Sequence, residues 1–371
     1  MKILHVYKDF DPPVHGGMER HMALMCRFQR EWADVRALTC SRRLRTAAAT
    51  RGGTEVREVG EWARFQSAPV SPMFPYYLRA MEADVVVIHV PNPTAELSYL
   101  LSRPRGKLVV RYQSDVVRQA AAMKVYRPFL MKFLSKADII LAASEQYLST
   151  SSALQPFLDK CRVVPLGIVA EEFAPPDSDC IRALRERYGG RFVLFSGRHR
   201  YYKGLEYLVR AAEKIDARVV IAGTGPERAR TEALARELGA GVEFVGALSH
   251  EELVAHLHAC EVMAFPSVDR SEAFGVSMLE AHACGTPVVA TTLGTGVEYV
   301  NLHEKTGLNV PPRDAEALSA SINELLHNAD LRGRLGETAR ARVFKDFDAR
   351  RIARVEFEIY QEVVECPKTG I

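Results

Sequence analysis

The pattern that most constrains the fold is an alternation of short, β-rich apolar runs with helical segments, which occurs twice along the chain. Strands of a parallel sheet are covered by helices on both faces, so they read as nearly continuous apolar runs. In the first half such runs occupy residues 3–7, 35–40, 83–90, 107–113, 137–144 and 161–167, and a helix is predicted over 18–29. This half is therefore predicted to form a doubly wound parallel sheet.

The second half repeats the pattern after a break. Residues 165–176 contain three prolines and no periodicity, and we interpret them as a linker. Strands are then predicted at 191–196, 218–222, 242–246, 259–267 and 287–291, with helices over 205–214, 227–238 and 251–259. We expect two Rossmann-like α/β domains facing a cleft, residues 1–166 and 167–348, with the predicted helix at 349–365 returning so that residues 349–371 complete the first domain.

Composition excludes several classes of protein. A chain of 371 residues with 47% hydrophobic and 26% charged residues is typical of a globular protein with two full cores. Its net charge of +3 is too small to indicate a nucleic-acid partner. Seven cysteines without a CxxC pair favour a reducing cytosol over a disulfide framework or zinc site. Met1 leads directly into a strand, so no signal peptide is predicted, and no apolar run reaches the roughly 20 residues of a membrane span. We therefore expect a cytoplasmic protein.

Two glutamates separated by seven residues mark the most informative stretch, SEAFGVSMLE at 271–280. Glu272 is predicted in a strand-to-helix loop and Glu280 about two turns into the following helix. If the whole span were helical, the carboxylates would lie roughly 12 Å apart, about the distance from a hexose to the ribose of a sugar nucleotide. The amides near Phe274, Gly275 and Val276 form a helix N-terminus suited to a pyrophosphate. The alternative is a capped surface helix with solvated glutamates.

Three further loops follow predicted strands. Gly16 and Gly17 precede a helix, which suits phosphate binding but also fits a tight turn. Gly223 and Gly225 form a second glycine loop in the other domain. In the loop at 197–204, Arg198 and Lys203 are two cations placed where phosphates would lie.

In the first half, two residues at strand ends and one basic stretch each allow two interpretations. His89 either faces the cleft or is structural, and Asp115 either faces the cleft or caps a helix that starts at Val116. Residues 118–136 mix basic and apolar side chains, and residues 41–51 form a basic loop. Residues 118–136 either dock on anionic lipid headgroups, with 41–51 as a second basic stretch, or form a core helix with a solvated basic face.

Taken together, these motifs resemble one large family. They are Gly16-Gly17, GRHRYYKG with Arg198 and Lys203, AGTGP, FVG at 244–246, EAFGVSMLE and TGLNVPP at 306–312. Over essentially its whole length the chain resembles the retaining glycosyltransferases of family 4, which have the GT-B fold. The stretches IHVPNPTAEL, YQSDVVRQ, YRPFL, DKCRVVPLGI and LGTGVEYVN resemble bacterial mannosyltransferases of O-antigen and exopolysaccharide assembly. That subgroup transfers sugar from GDP-mannose, or a relative such as GDP-rhamnose, to a lipid-linked oligosaccharide at the inner face of the membrane.

The resemblance implies a role for each matching residue. The Gly17 amide, Arg198 and Lys203 would hold the diphosphate and stabilise the leaving group. Glu272 would bind hydroxyls of the donor sugar and Glu280 the ribose. The other donor-binding candidates are Gly16, Gly223, Gly225, Phe274, Gly275 and Val276, with Val245 and Gly246 near the base.

Gln113 departs from the family pattern, which commonly has histidine at this position, beside the C6 hydroxyl of the donor sugar. Glutamine forms hydrogen bonds but does not titrate. We therefore consider the hypothesis that the donor sugar is a 6-deoxy sugar. His89 and Asp115 are candidates on the acceptor side.

No metal or other cofactor is expected, although D-x-D triplets of the kind that binds metal in other transferases occur at 9–11, 177–179 and 346–348. Their positions near the linker and the chain ends favour chance. A UDP-sugar transferase and a GT-B module that has lost catalysis remain the alternatives. A dehydrogenase is not favoured, because no strand is followed by GxGxxG.

Overall fold

The computed structural model describes residues 1–14, 16–65, 68–115 and 120–366. The chain divides into two compact units. Unit 1 comprises Met1–Gly167 with Ala349–Ile371, and unit 2 comprises Ile168–Asp348. The first boundary between the units, after residue 167, lies one residue from the predicted boundary, and the second, after residue 348, coincides with it.

Unit 1 is built on an eight-stranded sheet of order β10-β9-β8-β7-β1-β2-β4-β3. Its strands, together with the separate hairpin β5–β6, are β1 (Lys2–Val6), β2 (Asp34–Ser41), β3 (Ala47–Arg51), β4 (Thr54–Gly60), β5 (Ala63–Phe65), β6 (Ala68–Val70), β7 (Val85–Val90), β8 (Lys107–Tyr112), β9 (Ile139–Ala142) and β10 (Cys161–Val163). All neighbours are parallel except β3, which runs antiparallel to β4 at the edge. The chain reverses its direction of travel across the sheet between β1 and β7, so ligands are expected at their carboxyl ends.

The edge strand β3 corrects one prediction. Residues 41–51 were interpreted as a basic loop, but Ala47–Arg51 pairs with β4. A run of alanines carries little β signal, and an edge strand with one neighbour needs few apolar side chains. Only the basic residues before it remain in a loop.

The helices of the N-terminal segment are α1 (Gly17–Gln29), α2 (Phe74–Ala80), α3 (Pro93–Ser102), α4 (Ala120–Ser135) and α5 (Glu145–Thr150). On α4, Leu130, Phe133 and Leu134 are buried, whereas Arg127 and Lys132 are exposed. The described part of the basic stretch is therefore a core helix with a solvated basic face, and its first residues, 118 and 119, lie outside the described residues. Within the described ranges, no helix is long and apolar enough to span a bilayer.

Unit 2 contains a six-stranded, fully parallel sheet of order β13-β12-β11-β14-β15-β16. The strands are β11 (Phe192–Ser196), β12 (Arg218–Ala222), β13 (Val242–Gly246), β14 (Val262–Phe265), β15 (Val288–Thr291) and β16 (Gly307–Val310). Counted from β11, this is the 3-2-1-4-5-6 order of the Rossmann fold. Its switch point lies between β11 and β14.

The helices of unit 2 cover both faces of this sheet. They are α6 (Ser178–Arg187), α7 (Leu205–Ala211), α8 (Arg228–Leu238), α9 (His250–Ala259), α10 (Val276–Ala283), α11 (Gly296–Val300), α12 (Ala315–His327) and α13 (Ala329–Asp346). Apolar side chains of α7 and α12 pack with those of β11, β12 and β14 in one buried cluster.

Much of the predicted linker is packed rather than open. Ile168 and Phe173 are buried, and residues Ala170–Phe173 form a single 3₁₀ turn. The ring nitrogen Nε2 of His258 lies 3.0 Å from the Phe173 carbonyl oxygen. These apolar side chains belong to the core of unit 2, although the surrounding prolines prevent a regular element.

The last helix, α14 (Ala349–Glu365), packs against α1 in unit 1. Its buried positions recur at helical spacing, and Ile352, Ala353, Glu356, Phe357 and Tyr360 are among them. Glu356 is fully buried and its Oε1 lies 3.4 Å from Nε of Arg111, which is also fully buried. Burial of this ion pair ties the C-terminal helix to β8.

Candidate active site

The strongest concentration of predicted site residues lies at the switch point of unit 2. The loop after β11 spans residues 197–204 and the loop after β14 spans residues 266–275. Since β11 and β14 are adjacent parallel strands, their carboxyl ends meet at one edge of the sheet. This edge is where open α/β sheets bind ligands.

Backbone contacts hold these two loops against each other. The amide of Val268 donates to the Tyr202 carbonyl at 2.7 Å. Gly204 has φ +64°, and a β-carbon there would lie 2.0 Å from the Pro266 carbonyl oxygen. Only glycine combines this left-handed backbone with such a close approach.

An ion pair joins the two loops at their centre. Lys203 Nζ lies 2.6 Å from Glu272 Oε2, and the two residues are 8% and 7% exposed. The Ser267 hydroxyl donates to the same carboxylate oxygen at 2.9 Å, and the Thr291 hydroxyl donates to the Ser267 carbonyl. The structure thus brings together Lys203 and Glu272, which the sequence placed in separate motifs.

Lys203 remains a cation despite its burial. Burial lowers the pKa of its ammonium group, but the charge of Glu272 raises it, helped by Tyr202 and Glu280, and the net shift is upward. The ammonium also lies 4.8 Å from the centre of the Phe265 ring. A buried, charged pair loses much solvation, so its place at a strand-end edge indicates function more than stability.

Glu280 lies near this pair, on α10. It is buried and interacts electrostatically with Lys203. Because α10 begins at Val276, Glu280 is its fifth residue, just over one turn in. The prediction of about two turns was wrong, and residues 272–275 form a loop rather than helix.

The N-terminus of α10 completes the arrangement. Gly275 has φ +89° and caps the helix without a side-chain hydrogen bond. Its missing side chain leaves room for Met278 and Phe265, since a β-carbon would lie 2.5 Å from Met278 Cε. Phe274 is itself buried against Tyr299, so only its backbone is suited to a ligand.

The glycine loop at Gly223 and Gly225 packs on the loop at 197–204. The amide of His199 donates to the Thr224 carbonyl at 2.8 Å, between Gly223 and Gly225. Gly223 in turn donates to the carbonyl of Gly246, which ends β13 next to Val245. The candidate base-binding residues and the cationic loop are therefore neighbours in one unit.

Arg198 is exposed, and within the described residues its guanidinium has no ion-pair partner. It lies close enough to Tyr202 to influence the pKa of that phenol, which burial raises. Of the two predicted phosphate-binding cations of this loop, Lys203 is buried and Arg198 is exposed. The second is available to a phosphate.

In unit 1, Gly16 is the N-cap of α1 and Gly17 its first residue. No side chain caps this helix end. A β-carbon on Gly16 would lie 2.3 Å from Oε2 of Glu19. The diphosphate contact of Gly16 and Gly17 stays a prediction.

His89 lies in the interior rather than on an open surface. It is fully buried, and its ring contacts those of His5, Tyr7 and His21. Burial lowers its pKa well below the usual value. This position corresponds to the structural interpretation of His89 and corrects its assignment to direct acceptor chemistry.

Gln113 and Asp115 follow β8. Gln113 Nε2 lies 3.2 Å from His89 Nδ1, and Gln113 is 5% exposed. Asp115 Oδ1 accepts hydrogen bonds from the Tyr112 and Ser151 hydroxyls, each at 2.8 Å. Whether Asp115 caps a helix at Val116 concerns residues outside the described ranges.

The D-x-D triplets have other partners. Asp9 forms a two-pronged ion pair with Arg64, at 2.9 and 3.0 Å. Asp177 caps α6 by accepting from the amide of Asp179, and Asp346 lies 3.6 Å from Arg342. Each first aspartate therefore has a structural role.

Sequence reasoning missed Ser267, Thr291 and Tyr202. Ser267 and Thr291 lie in or beside apolar strands and match no motif, whereas Tyr202 lies within GRHRYYKG and was assigned no role. The one signal for Ser267 was its place five residues before Glu272 at a predicted strand end.

Comparisons with known proteins agree with this geometry. The family model described as "Glycosyl transferase 4-like domain" matches residues 16–167, and the model described as "Glycosyl transferases group 1" matches residues 180–342. The two matches correspond to the two units.

Two relatives are similar over almost the whole chain. The D-rhamnosyltransferase WbpZ of Pseudomonas aeruginosa is 36% identical over 353 residues, covering 94% of this chain and 93% of the relative. The O-antigen chain mannosyltransferase C of Escherichia coli is 32% identical over 377 residues, covering 98% and 99%. Among solved structures, sucrose-phosphate synthase from Thermosynechococcus elongatus has a TM-score of 0.82 at 23% identity, covering 98% of both chains, which shows the fold.

Proposed function

Because the chain belongs to the glycosyltransferases that combine a glycosyl transferase 4-like domain with a group 1 domain in the GT-B fold, we propose a specific reaction. The protein moves a hexose, mannose or D-rhamnose, from a GDP-sugar to a lipid-linked oligosaccharide, with retention at the anomeric carbon. The product serves bacterial surface polysaccharide synthesis, as O-antigen or exopolysaccharide. The observation that carries the proposal is the buried Lys203–Glu272 pair at the switch point of unit 2.

The donor is assigned to unit 2 by the chemistry of that edge. Lys203 and Arg198 meet the diphosphate, and the free amides at the start of α10 add positive potential. Glu272 accepts hydrogen bonds from sugar hydroxyls, and Glu280 accepts from the ribose. The loop at Gly223 and Gly225, with Val245 and Gly246, lies beside the base.

Catalysis then rests on electrostatics. As the bond to the leaving phosphate breaks, negative charge grows on GDP, and a cation already held in place stabilises it without reorganising. Lys203 is such a cation, because Glu272 and Phe265 fix its ammonium group. The acceptor hydroxyl attacks from the face that the nucleotide leaves, and the leaving phosphate takes its proton. No protein nucleophile or metal ion takes part in this scheme.

The relatives and Gln113 limit the choice of donor sugar. One relative is a D-rhamnosyltransferase and the other a mannosyltransferase, and these sugars differ by one hydroxyl, at C6. Glutamine in place of the family's usual histidine favours the 6-deoxy sugar. Gln113→His is expected to shift turnover toward GDP-mannose relative to GDP-D-rhamnose. An unchanged ratio in initial-rate assays would remove Gln113 from donor selection.

Attachment to the inner face of the cytoplasmic membrane is the second part of the proposal. An exposed surface joins the loop at Arg42, Arg43, Leu44 and Arg45 to the β5–β6 hairpin, because the Glu61 amide donates to the Arg43 carbonyl. Next to it Trp62 and Phe65 are 72% and 70% exposed. Three arginines beside exposed aromatic rings suit an anionic bilayer surface. We call this set, Arg42–Arg45 with Trp62 and Phe65, the basic aromatic surface.

Two alternatives are kept. A UDP-sugar donor would use the same phosphate and sugar contacts and differ only at the base. A binding module without catalysis would keep the fold, and Gln113 would be its sign. The intact set Arg198, Lys203, Glu272 and Glu280 favours an active enzyme.

The test is transfer from labelled GDP-mannose and GDP-D-rhamnose to lipid-linked oligosaccharide in bacterial membranes, with EDTA present. The proposal expects label in the lipid fraction from at least one donor, with the anomeric configuration retained by NMR. Transfer from UDP-sugars alone would discard the GDP donor, and loss of transfer in EDTA would discard the metal-free scheme. No transfer from any donor would favour the inactive module.

A further inference from the structure

A buried chain of polar side chains crosses unit 1 and is not explained by the proposed donor contacts. Gln113 Nε2 lies 3.2 Å from His89 Nδ1, and His89 Nε2 lies 3.2 Å from His5 Nδ1. His5 Nε2 lies 2.9 Å from Gln29 Oε1. His89, His5 and Gln29 are fully buried. We call these four side chains the relay.

The far end of the relay fixes its direction. Gln29 lies 3.4 Å from the carbonyl oxygen of Ala353 on α14, and it also bonds the Tyr360 hydroxyl. That hydroxyl donates to Glu356 at 2.7 Å, so it offers its oxygen to Gln29. Both neighbours are acceptors, and therefore Gln29 must turn Nε2 toward them and Oε1 toward His5.

The orientation of the Gln29 amide determines which ring nitrogen of each histidine in the relay carries the proton. Gln29 Oε1 can only accept, so His5 carries its proton on Nε2 and leaves Nδ1 as an acceptor. His89 then donates from Nε2 and accepts at Nδ1, where Gln113 must donate its Nε2. The opposite direction would set the Gln29 oxygen against the Ala353 oxygen. Both rings are neutral, since burial lowers the pKa of His5 to about 4 and that of His89 further below its usual value.

The near end of the relay leaves an acceptor unused. With Nε2 committed to His89, the Gln113 amide presents Oε1 elsewhere, and within the described residues this buried oxygen has no hydrogen-bond partner. Gln113 follows β8, and its backbone amide donates to the Val90 carbonyl at the end of β7. An unsatisfied buried oxygen is costly, and at a strand-end edge a ligand is its natural partner.

A matching donor follows the neighbouring strand. Asn92 is buried beyond β7, and its Oδ1 accepts from the Ala95 amide, which fixes the orientation of its side chain. Its Nδ2 has no hydrogen-bond partner among the residues that the structure describes. A hydroxyl group both donates and accepts, so one class of ligand group suits both amides.

We propose that the relay, directed by the Ala353 carbonyl of the C-terminal helix, holds Gln113 as a fixed acceptor for a sugar hydroxyl other than the C6 hydroxyl, which a 6-deoxy donor lacks. His89, His5 and Gln29 are positioning residues in this scheme, and none of them touches the ligand. The inference rests on the proposed function for the identity of the ligand, but not for the direction of the relay. It also explains why three polar side chains occupy the core beside Gln113.

The direction is tested by ¹⁵N NMR of histidine-labelled protein near neutral pH, with His5 and His89 assigned by single variants. Both rings are expected in the neutral form with the proton on Nε2. Gln29→Met removes the acceptor that holds the His5 proton on Nε2, so His5 should shift toward the Nδ1–H form or a mixture. Met25→Leu, a buried change on the same helix, should leave both rings unchanged. A proton on Nδ1 of either ring in the unmodified protein would overturn the relay.

The ligand is tested in the same two variants by titration with GDP-mannose and with GDP, and by the KM for the oligosaccharide acceptor. Gln29→Met is expected to weaken one sugar-dependent step about tenfold and leave GDP affinity unchanged. Weaker GDP-mannose binding assigns the hydroxyl to the donor sugar, and a raised acceptor KM assigns it to the acceptor. No change in either, with GDP binding intact, overturns the ligand contact. If the unmodified protein binds no GDP compound, the proposed function fails, while the NMR result still decides the direction of the relay.

Discussion

At the scale of single residues, Lys203 is the side chain on which the proposed chemistry depends most. Its ammonium group is enclosed by Glu272, Tyr202 and Phe265, and it stays charged because Glu272 offsets the effect of burial. A cation fixed in this way stabilises charge that develops on a leaving phosphate more than it stabilises the resting diphosphate.

Lys203→Ala is therefore expected to lower kcat on the order of 10²- to 10³-fold, with a smaller effect on GDP affinity. Initial rates with saturating GDP-sugar give the first value and titration gives the second. Lys214→Ala is the matched control, because Lys214 is an exposed lysine of the same unit paired with Glu316. A normal kcat in Lys203→Ala would contradict the electrostatic mechanism.

The residues of the candidate site differ in how well the sequence alone identified them. Glu272, Glu280 and Lys203 stand at strand ends in recognisable motifs, so local pattern was enough. Ser267 and Thr291 are single hydroxyls whose role depends on a bond between neighbouring strands. His89 looked like a strand-end residue, but strands from both sides and α1 enclose it, which no local pattern reports.

At the scale of elements, the loop after β11 is held in place by the loop after β14. Gly204 carries this contact, through its left-handed backbone and its approach to the Pro266 carbonyl. Gly239 shares the left-handed backbone, with φ +61°, but a β-carbon there would meet nothing within 4 Å. Alanine substitutions at the two glycines therefore distinguish the cost of backbone strain from the cost of a steric clash.

Gly239→Ala is expected to cost about 1 kcal/mol of unfolding free energy, from strain alone. Gly204→Ala should cost roughly 2 to 4 kcal/mol and weaken GDP binding, because the alanine side chain pushes the two loops apart. Thermal unfolding and GDP titration of both variants provide the comparison. Equal effects of the two substitutions on stability and on GDP binding would argue against the locked loops.

The basic aromatic surface predicts membrane binding at the same scale. Trp62→Ser combined with Phe65→Ser should reduce sedimentation with vesicles of anionic phospholipid several-fold, because both rings are largely exposed. Leu101→Ser on α3 is the control, since Leu101 is as exposed but does not belong to this surface. Equal binding of the double variant and the control would reject this surface as the docking site.

Regular elements followed from the sequence where the apolar pattern was strong. Apart from β4, the central strands of both sheets were predicted to within three residues at each end, because burial on both faces demands continuous apolar runs. The strands β3, β4 and β16 and the hairpin β5–β6 were missed, because each is short or carries mixed polar and apolar residues rather than a continuous apolar run. The start of α10 depends on the backbone of Gly275, which the sequence pattern did not specify.

At the scale of the whole molecule, unit 1 combines the N-terminal segment with the C-terminal helix α14, which packs against α1. The C-terminal helix α14 contributes Glu356, whose carboxylate faces Arg111 and His21 in the core. Despite the opposing effect of burial, Arg111 and His21 hold the pKa of Glu356 below its usual value. His5, His21 and His89 in the same region have lowered pKa values because of burial.

These groups predict loss of stability in mild acid. The pKa of His5 is about 4 when folded and 6.5 unfolded, so the unfolded state takes up protons first as pH falls. The contribution of His5 is complete above pH 6.5, decreases toward pH 4, and amounts to about 3 kcal/mol. His5→Gln should make the unfolding midpoint less dependent on pH between 6.5 and 4, and His303→Gln at an exposed position should not. An identical pH dependence in all three proteins would contradict the buried, neutral His5.

The central claim concerns the nucleotide that unit 2 binds. Isothermal titration of GDP and UDP into the purified protein, in EDTA, tests it most directly. We expect clear preference for GDP, and weaker binding of GDP by Arg198→Ala, because a free cation meets the diphosphate. Preference for UDP would contradict the GDP-sugar donor while leaving the family intact, and binding of neither nucleotide would contradict the proposed transferase activity itself.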